Sequence, residues 1–492
     1  MKSKTLTIVA AAISQAVVVY AQEVAPEESP AAQPNAVEVT PSAYESKPEG
    51  VGEESPFSFN AGGDIRVRQE IMRNVPATPG GGYFGRPGVE RGKTKNQIRF
   101  RPRVWTELKA GDSWRLYMRL ADEFRAGLVQ KTHNATFPGE VVLDNLFVEG
   151  KGLFDDFLDV RIGRQDLIYM YGLNHIFVDG TPGDGSRTTY ADMANIALHF
   201  TEDSWLDLFA LYNRDQEELR WGTKRSRHSG LTGFGPNERE MDDWGFGAVW
   251  NSRFSFVKYQ LFAIQKDTAS FHDRAGQKHP FRQVNLFGTK IVPEWTENFS
   301  TPVELMTQIG RNGDDDTLSA WSAYTGFDWR GGKICSTMKP FWKGGVLIMS
   351  GDRNGARTDR EGGHHAWDPM WYRGVDDSEM FLYGTNYGVG WWSNQINIKN
   401  TLGMKFGPHH SAQVMFGPIF AERKDGLGGG GGSFKGFISQ ARYDFPIYVA
   451  SEGESQRFEI FGHLLAEFFN PGDYFESDKP ACFFRWQIEV KF

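Results

Sequence analysis

The chain has 492 residues, with 54 Lys and Arg against 62 Asp and Glu, so its formal net charge is −8 at pH 7. This balance gives no reason to expect a nucleic-acid partner, because proteins that bind nucleic acids carry basic surfaces. A hydrophobic fraction of 40% accompanies 56 Gly, 38 Phe, 16 Tyr and 15 Trp, which is typical of many strands joined by turns.

The N-terminal residues predict export followed by a tail without a core. Residues 1–21 combine a short basic start, an apolar run and small residues at the end, which is the pattern of a signal peptide. Residues 22–55 hold eight Glu, one Lys and five Pro, so we expect a disordered, acidic periplasmic tail. Residues 56–492 then form the folded part, and no segment there has the roughly 20 continuous apolar residues of a spanning helix.

Alternating apolar and polar residues predict about 18 strands in residues 56–492. Short links such as 110–112, 202–203, 252–254 and 407–410 alternate with long ones such as 73–94, 124–140, 169–190, 215–240 and 351–390. This alternation predicts an all-β fold, a transmembrane antiparallel β-barrel with short periplasmic turns and long extracellular loops. The predicted strands are 57–72, 95–109, 113–123, 141–150, 158–168, 191–201, 204–214, 241–251, 255–266, 281–292, 302–311, 317–330, 337–350, 391–406, 411–422, 434–446, 455–469 and 481–492.

Arginines occupy the polar face of the first predicted strands. An Arg on the lipid face costs about 2–4 kcal/mol at mid-membrane, so these side chains are expected to face the lumen. Two interpretations remain open: an internal lattice of salt bridges that holds the barrel, or an electropositive pathway that recognises carboxylates. The residues concerned are Arg66, Arg68, Arg99, Arg101, Arg103, Arg115, Arg119 and Arg161.

The fifth predicted strand carries the run Arg161-Ile162-Gly163-Arg164-Gln165-Asp166-Leu167, followed by Tyr171-Gly172. This run resembles the R-x-G-R-Q-x-L … Y-G signature of the alginate-export family. The segments 64–68, 97–103 and 366–372 are similar to further patterns of that family. The resemblance implies an outer-membrane barrel with an Arg-lined pore for a uronate polymer or another sugar. It also implies that Arg161, Arg164 and Gln165 lie at or near the conduit.

No motif in the sequence predicts catalysis, a cofactor or a metal site. There is no His-Glu-x-x-His, Gly-x-Ser-x-Gly or Cys-x-x-Cys pattern, and the pairs His364-His365 and His409-His410 are expected to be solvated. Cys335 and Cys482 are expected to be unpaired.

The final residues form the most regular strand of the chain. From Phe484 to Phe492 apolar residues alternate with Arg485, Gln487, Glu489 and Lys491. We expect this strand to close the sheet against the first strand, with Glu489 as a counter-charge for Arg66 and Arg68. A terminal Phe resembles the last residue of bacterial outer-membrane barrels, which implies recognition of Phe492 by the barrel-assembly machinery.

These features predict a monomeric channel in the outer membrane, in contact with lipid, for passive passage of an anionic or carbohydrate solute. The long links 169–190 and 351–390 are expected to gate or narrow it. Two alternatives of other classes remain: a barrel enzyme that hydrolyses lipid or peptide, and a structural or adhesive barrel with large surface loops.

Overall fold

The structure is a computed structural model, and most of the predicted barrel region is described in it. The predicted signal peptide and acidic tail, residues 1–55, lie outside the described residues, as does Cys335. The described ranges are 56–74, 94–127, 141–167, 170–177, 190–213, 220–221, 243–272, 278–313, 316–334, 337–352, 365–371, 393–407, 409–424, 430–449, 458–475 and 478–492.

Eighteen long strands in these ranges match the eighteen predicted ones in order. Strands β1 to β18 are Phe57–Arg73, Thr94–Ala110, Trp114–Asp122, Val141–Gly152, Leu158–Asp166, Tyr190–Thr201, Ser204–Asn213, Asp243–Phe254, Val257–Thr268, Arg282–Thr296, Val303–Asn312, Asp316–Arg330, Met338–Met349, Gln395–Phe406, Ser411–Phe420, Phe434–Val449, Glu459–Pro471 and Ala481–Lys491. The short elements are strands Phe124–Gly127, Arg220–Trp221, Phe271–His272, Lys278–His279 and Phe299–Ser300, and helical turns Leu153–Asp156 and Met170–Gly172.

Each long strand pairs antiparallel with the next, and β18 pairs with β1, so the sheet closes into a barrel. The closing register sets Arg66 opposite Glu489 and Arg68 opposite Gln487. Phe492 completes the seam, because its amide donates to Gly63 O at 3.0 Å and its carbonyl accepts from the Gly63 amide at 2.8 Å. The predicted fold class and the predicted closure by the last strand are confirmed.

The two faces of the sheet differ as the period of two requires. Large apolar side chains face outward, such as Val104, Leu261 and Leu305, which are 51%, 54% and 54% exposed. Many of the charged side chains on the other face are buried. In the parts of the chain that are described, no helix is long and apolar enough to cross a membrane.

The two ends of the barrel have different connections. Short turns join β2 to β3, β6 to β7 and β8 to β9, and the turn after β2 contains Gly111 in a left-handed conformation (φ 59°). We call the end with the short turns the short-turn end. The C-terminal Phe492 lies toward it, because β18 runs from the opposite end of the barrel to the short-turn end. The long links join strands at the opposite, long-link end.

Candidate functional site

A group of buried ion pairs lies where the barrel closes, at β1, β2 and β18. The Glu70 carboxylate accepts from Arg99 Nη1 at 3.1 Å and from Arg485 Nη2 at 2.9 Å, and it forms an ion pair with Arg68, whose Nε lies 3.0 Å away. Gln97 Nε2 donates to the same carboxylate at 2.7 Å. The side chains of Arg68, Glu70 and Arg485 are 0% exposed, so a single carboxylate links three guanidinium groups away from solvent.

Closer to the short-turn end, the same wall continues with two more carboxylates. Asp64 accepts from Arg103 Nε at 2.7 Å and from Arg101 Nη2 at 3.5 Å. Arg101 also lies 3.5 Å from Glu489, and Arg66 stands opposite both Arg101 and Glu489 in the two ladders. Glu489 therefore stands opposite Arg66 as predicted, but Arg68 pairs with Glu70 instead, and Glu489 also lies near Arg101 of β2. We call Arg66, Arg68, Arg99, Arg101, Arg103 and Arg485 the arginine wall.

The arginines of β3 also pair with carboxylates. Arg115 Nη2 lies 2.7 Å from Glu149, and Arg119 bonds Asp144 and Asp166, each at 2.9 Å. Arg115 remains partly open, since 24% of its side chain is exposed, whereas 11% of Arg119 is. The lattice of internal salt bridges extends across β3, β4 and β5.

The structure explains why the Arg161–Leu167 run contains a glycine at Gly163. Gly163 lies at φ 129°, and a Cβ there would come within 2.2 Å of the Leu146 carbonyl oxygen on β4. Only glycine fits this close approach. Its neighbour on the strand, Arg161, forms an ion pair with Glu149 and keeps 32% of its side chain exposed.

The remaining two residues of the run have different partners. Gln165 is fully buried and accepts from Asn195 Nδ2 at 2.7 Å, and Asn195 in turn bonds the Tyr171 hydroxyl. Burial raises the pKa of the Tyr171 hydroxyl, so this group stays protonated. Arg164 instead forms a pair with Asp192, its cross-strand neighbour on β6, at 2.8 Å. Gln165 is therefore linked through Asn195 to Tyr171, whereas Arg164 pairs with Asp192.

The first of two inward segments, residues 170–177, packs against the inner wall of β7 to β11. His175 Nδ1 lies 2.6 Å from Glu304, and Lys290 Nζ lies 3.1 Å from the same carboxylate. Lys290 also donates to the Gly172 carbonyl at 2.6 Å, and Gln260 donates to the Tyr171 carbonyl at 2.7 Å. Two strand side chains therefore hold the backbone of this segment directly.

The second inward segment, residues 365–371, is anchored by Asp368. This carboxylate accepts from Arg282 Nε at 2.9 Å and lies 3.6 Å from Lys266 Nζ. The backbone amide of Asp368 donates to Gln308 Oε1 at 2.8 Å, and its carbonyl accepts from Gln308 Nε2 at 2.6 Å. Lys266 also donates to the Met370 carbonyl at 2.9 Å. Three adjacent strands, β9, β10 and β11, thus fix one short segment.

The two inward segments contact each other through aromatic rings. Phe177 and Trp371 stack with their centroids 5.3 Å apart and an interplanar angle of 4°. Trp371 is 0% exposed and lies against Gly245 of β8, where a Cβ would meet its ring at 2.4 Å. Both segments come from long links that the sequence predicted to gate or narrow the barrel. Their docking sites were not predicted, although the aromatic residues Phe177 and Trp371 in these links were a usable signal in the sequence.

Exposure separates the predicted lumen residues into two sets. The side chains of Arg68, Arg99 and Arg101 are at most 4% exposed, whereas those of Arg115 and Arg161 are 24% and 32% exposed. Only side chains of the second kind can meet a solute without rearrangement. Within the described ranges, no cluster of three or more His, Cys, Asp or Glu has the arrangement of a metal site.

No family model matches the sequence, and no curated protein matches it either. Among solved structures, OpdO of Pseudomonas aeruginosa is 10% identical with a TM-score of 0.48, over 88% of this chain and 96% of that chain. OpdQ of the same organism is 9% identical with a TM-score of 0.47, over 88% and 97%. OprB of Pseudomonas putida is 9% identical with a TM-score of 0.39, over 88% and 94%. The resemblance to the alginate-export family stays a prediction. The evidence for the barrel fold is the pairing of its strands.

Proposed function

We propose that this protein is a channel of the bacterial outer membrane. The observation that carries the proposal is the closed barrel of eighteen strands, apolar outside and charged inside. If lipid hydrocarbon surrounds the barrel, it accounts for the large apolar side chains that are exposed on most of its strands. Outward Trp114, Trp295, Trp329 and Trp342 lie toward the short-turn end, where an aromatic girdle meets the lipid headgroups.

The passage runs beside the inward segments. Barrels of 16–18 strands are wide enough to leave an aqueous channel unless their own loops fill it. Segments 170–177 and 365–371 are held against β7 to β13, so they narrow the interior from that side. The remaining space is bounded by the salt-bridge lattice of β1 to β5 and β18 and by the inner faces of β14 to β17.

The solute is an anion or a carbohydrate, with uronate-type saccharides as the class that satisfies both descriptions. Guanidinium groups bind carboxylates in a two-pronged geometry, and Arg115 and Arg161 are exposed enough to do so. Passage is passive, and no covalent step takes part. The protein is exported through its signal peptide, assembled through recognition of Phe492, and acts as a monomer.

Liposome swelling tests the solute class. Vesicles containing the folded full-length protein are diluted into glucuronate, into short uronate oligomers or into neutral sugars of equal size. We expect faster swelling in uronates, and an Arg115→Ser/Arg161→Ser variant should lose the preference while still swelling. An Arg99→Ser/Arg101→Ser/Arg103→Ser variant tests the arginine wall in the same assay. Vesicles that do not swell in any solute would contradict the proposed channel.

A further inference from the structure

The inner faces of β12, β13 and β14 carry a second group of cations that belongs to neither the arginine wall nor the inward segments. We call Arg330, Lys339, Lys343, Lys399 and Lys405 the basic face. Further along the same strands, Ser322, Met349 and Gln395 are buried in the interior. On each strand, the cations lie an even number of residues away from the buried residue. Because side chains alternate between the two faces of a strand, all five cations lie on the inner side of the sheet.

The basic face forms a track that begins at the short-turn end. Lys339 stands directly opposite Lys405 in the ladder between β13 and β14. Lys343 follows four residues further into the barrel and stands opposite Asp328 of β12. Lys399 lies six residues before Lys405 on β14, which at about 3.3 Å per residue extends the track by about 20 Å. A solute entering from this end meets positive charge over a considerable depth.

The charge of this track is weakly compensated by the strands that carry it. Asp328 is the one acidic residue among the described inner positions of this region. The region comprises β12 from Tyr324 to Arg330 and the facing parts of β13 and β14. Arg330 Nη2 lies 3.1 Å and Lys343 Nζ 3.9 Å from the Asp328 carboxylate. Arg330 and Lys343 thus share this carboxylate, and Lys339 and Lys405 face each other beside them.

Stability does not account for this arrangement. Like charges directly opposite on antiparallel strands are destabilising, and Lys339 and Lys405 are such a pair. The cations are also accessible: the side chains of Arg330 and Lys343 are 38% and 37% exposed, whereas those of the arginine wall are nearly buried. A wall of one charge sign along an enclosed passage raises the local concentration of counter-ions.

We propose that the basic face is the anion-binding element of the lumen, with small solutes that bear oxyanion groups, carboxylate or phosphate, as its ligands. This inference rests on the proposed channel and adds a second set of selecting residues to Arg115 and Arg161. The arginine wall holds the barrel together through buried ion pairs, and lysines at the short-turn end attract the anion. Lysine suits this role because its mobile ammonium binds and releases anions without a fixed bidentate geometry.

The test compares two double variants of the full-length protein in detergent. Lys339→Gln/Lys405→Gln removes two charges from the basic face, and Lys109→Gln/Lys151→Gln removes two cations of the opposite wall, which lie 3.6 Å from Glu107 and 3.9 Å from Glu149. Citrate and inorganic phosphate are titrated calorimetrically, and heat-dependent gel mobility verifies that each barrel is folded. We expect the first variant to bind citrate about tenfold more weakly and the second within about twofold of the parent protein.

A third variant, Asp328→Asn, makes the track more positive and is expected to bind citrate more tightly. Binding of citrate alone would identify carboxylates as the ligand, and binding of both anions would extend the site to phosphates. Equal losses in the two double variants, or no anion binding by the folded parent, would overturn the inference. Lysine-dependent binding by a protein that does not conduct would support the basic face and overturn the channel instead.

Discussion

Replacing Asp368 by Asn is expected to release the inward segment 365–371. The carboxylate is buried, accepts from Arg282 at 2.9 Å and from the Met370 amide at 2.8 Å, and lies 3.6 Å from Lys266. Removing one partner of buried charge pairs costs about 3–5 kcal/mol, which would lower the preference for the inward position by a factor of about 10² to 4 × 10³. Asn has nearly the same volume, so the change removes the charge without creating a cavity.

Single-channel recording in planar bilayers measures the effect. We expect a larger unit conductance, or frequent transitions to a larger level, because the segment no longer narrows the lumen. His365→Ala is the matched control in the same segment: this ring is exposed and bonds the Ser319 carbonyl at 3.0 Å, so its loss should leave the conductance unchanged. A folded Asp368→Asn protein with the parent conductance would refute the reasoning.

Two further predictions concern the lattice and the packing of the segments. Glu70→Gln should lower the free energy of unfolding by about 3–5 kcal/mol, measured by urea titration with tryptophan fluorescence, because three buried guanidinium groups lose their shared carboxylate. Glu294→Gln, which breaks partly exposed pairs, should cost less than about 1 kcal/mol, and equal costs would contradict the role of Glu70. Gly245→Val should displace Trp371 and raise the single-channel conductance as Asp368→Asn does; an unchanged conductance would show that this contact does not hold the segment.

The strands could be predicted because each has one face toward lipid and one toward the interior, which gives a period of two in the sequence. The predicted strand 158–168 in fact ends at Asp166, and the next residue, Leu167, is fully buried. The closure of β18 on β1 was also predicted, and alternation placed Glu489 on the inner face, where the closing register sets it opposite Arg66.

The interior was harder to predict because its contacts join residues far apart in the sequence. Asp368 meets Lys266 and Arg282, about 100 and 86 residues away, and no local pattern encodes such a meeting. Arg164 pairs with Asp192 across a long link, which the resemblance of its motif did not indicate. The basic face was missed because its cations are spread over three strands, each with one or two of them. Only the closed sheet brings these residues to one wall.

The central claim is that this barrel conducts solutes and prefers anions. Reversal potentials of the purified, folded protein in a planar bilayer, measured under a gradient of potassium chloride, test it most directly. We predict discrete conductance steps and a reversal potential of the sign expected for chloride permeability exceeding that of potassium. A folded protein that inserts without any conductance, or one that prefers potassium, would contradict the account.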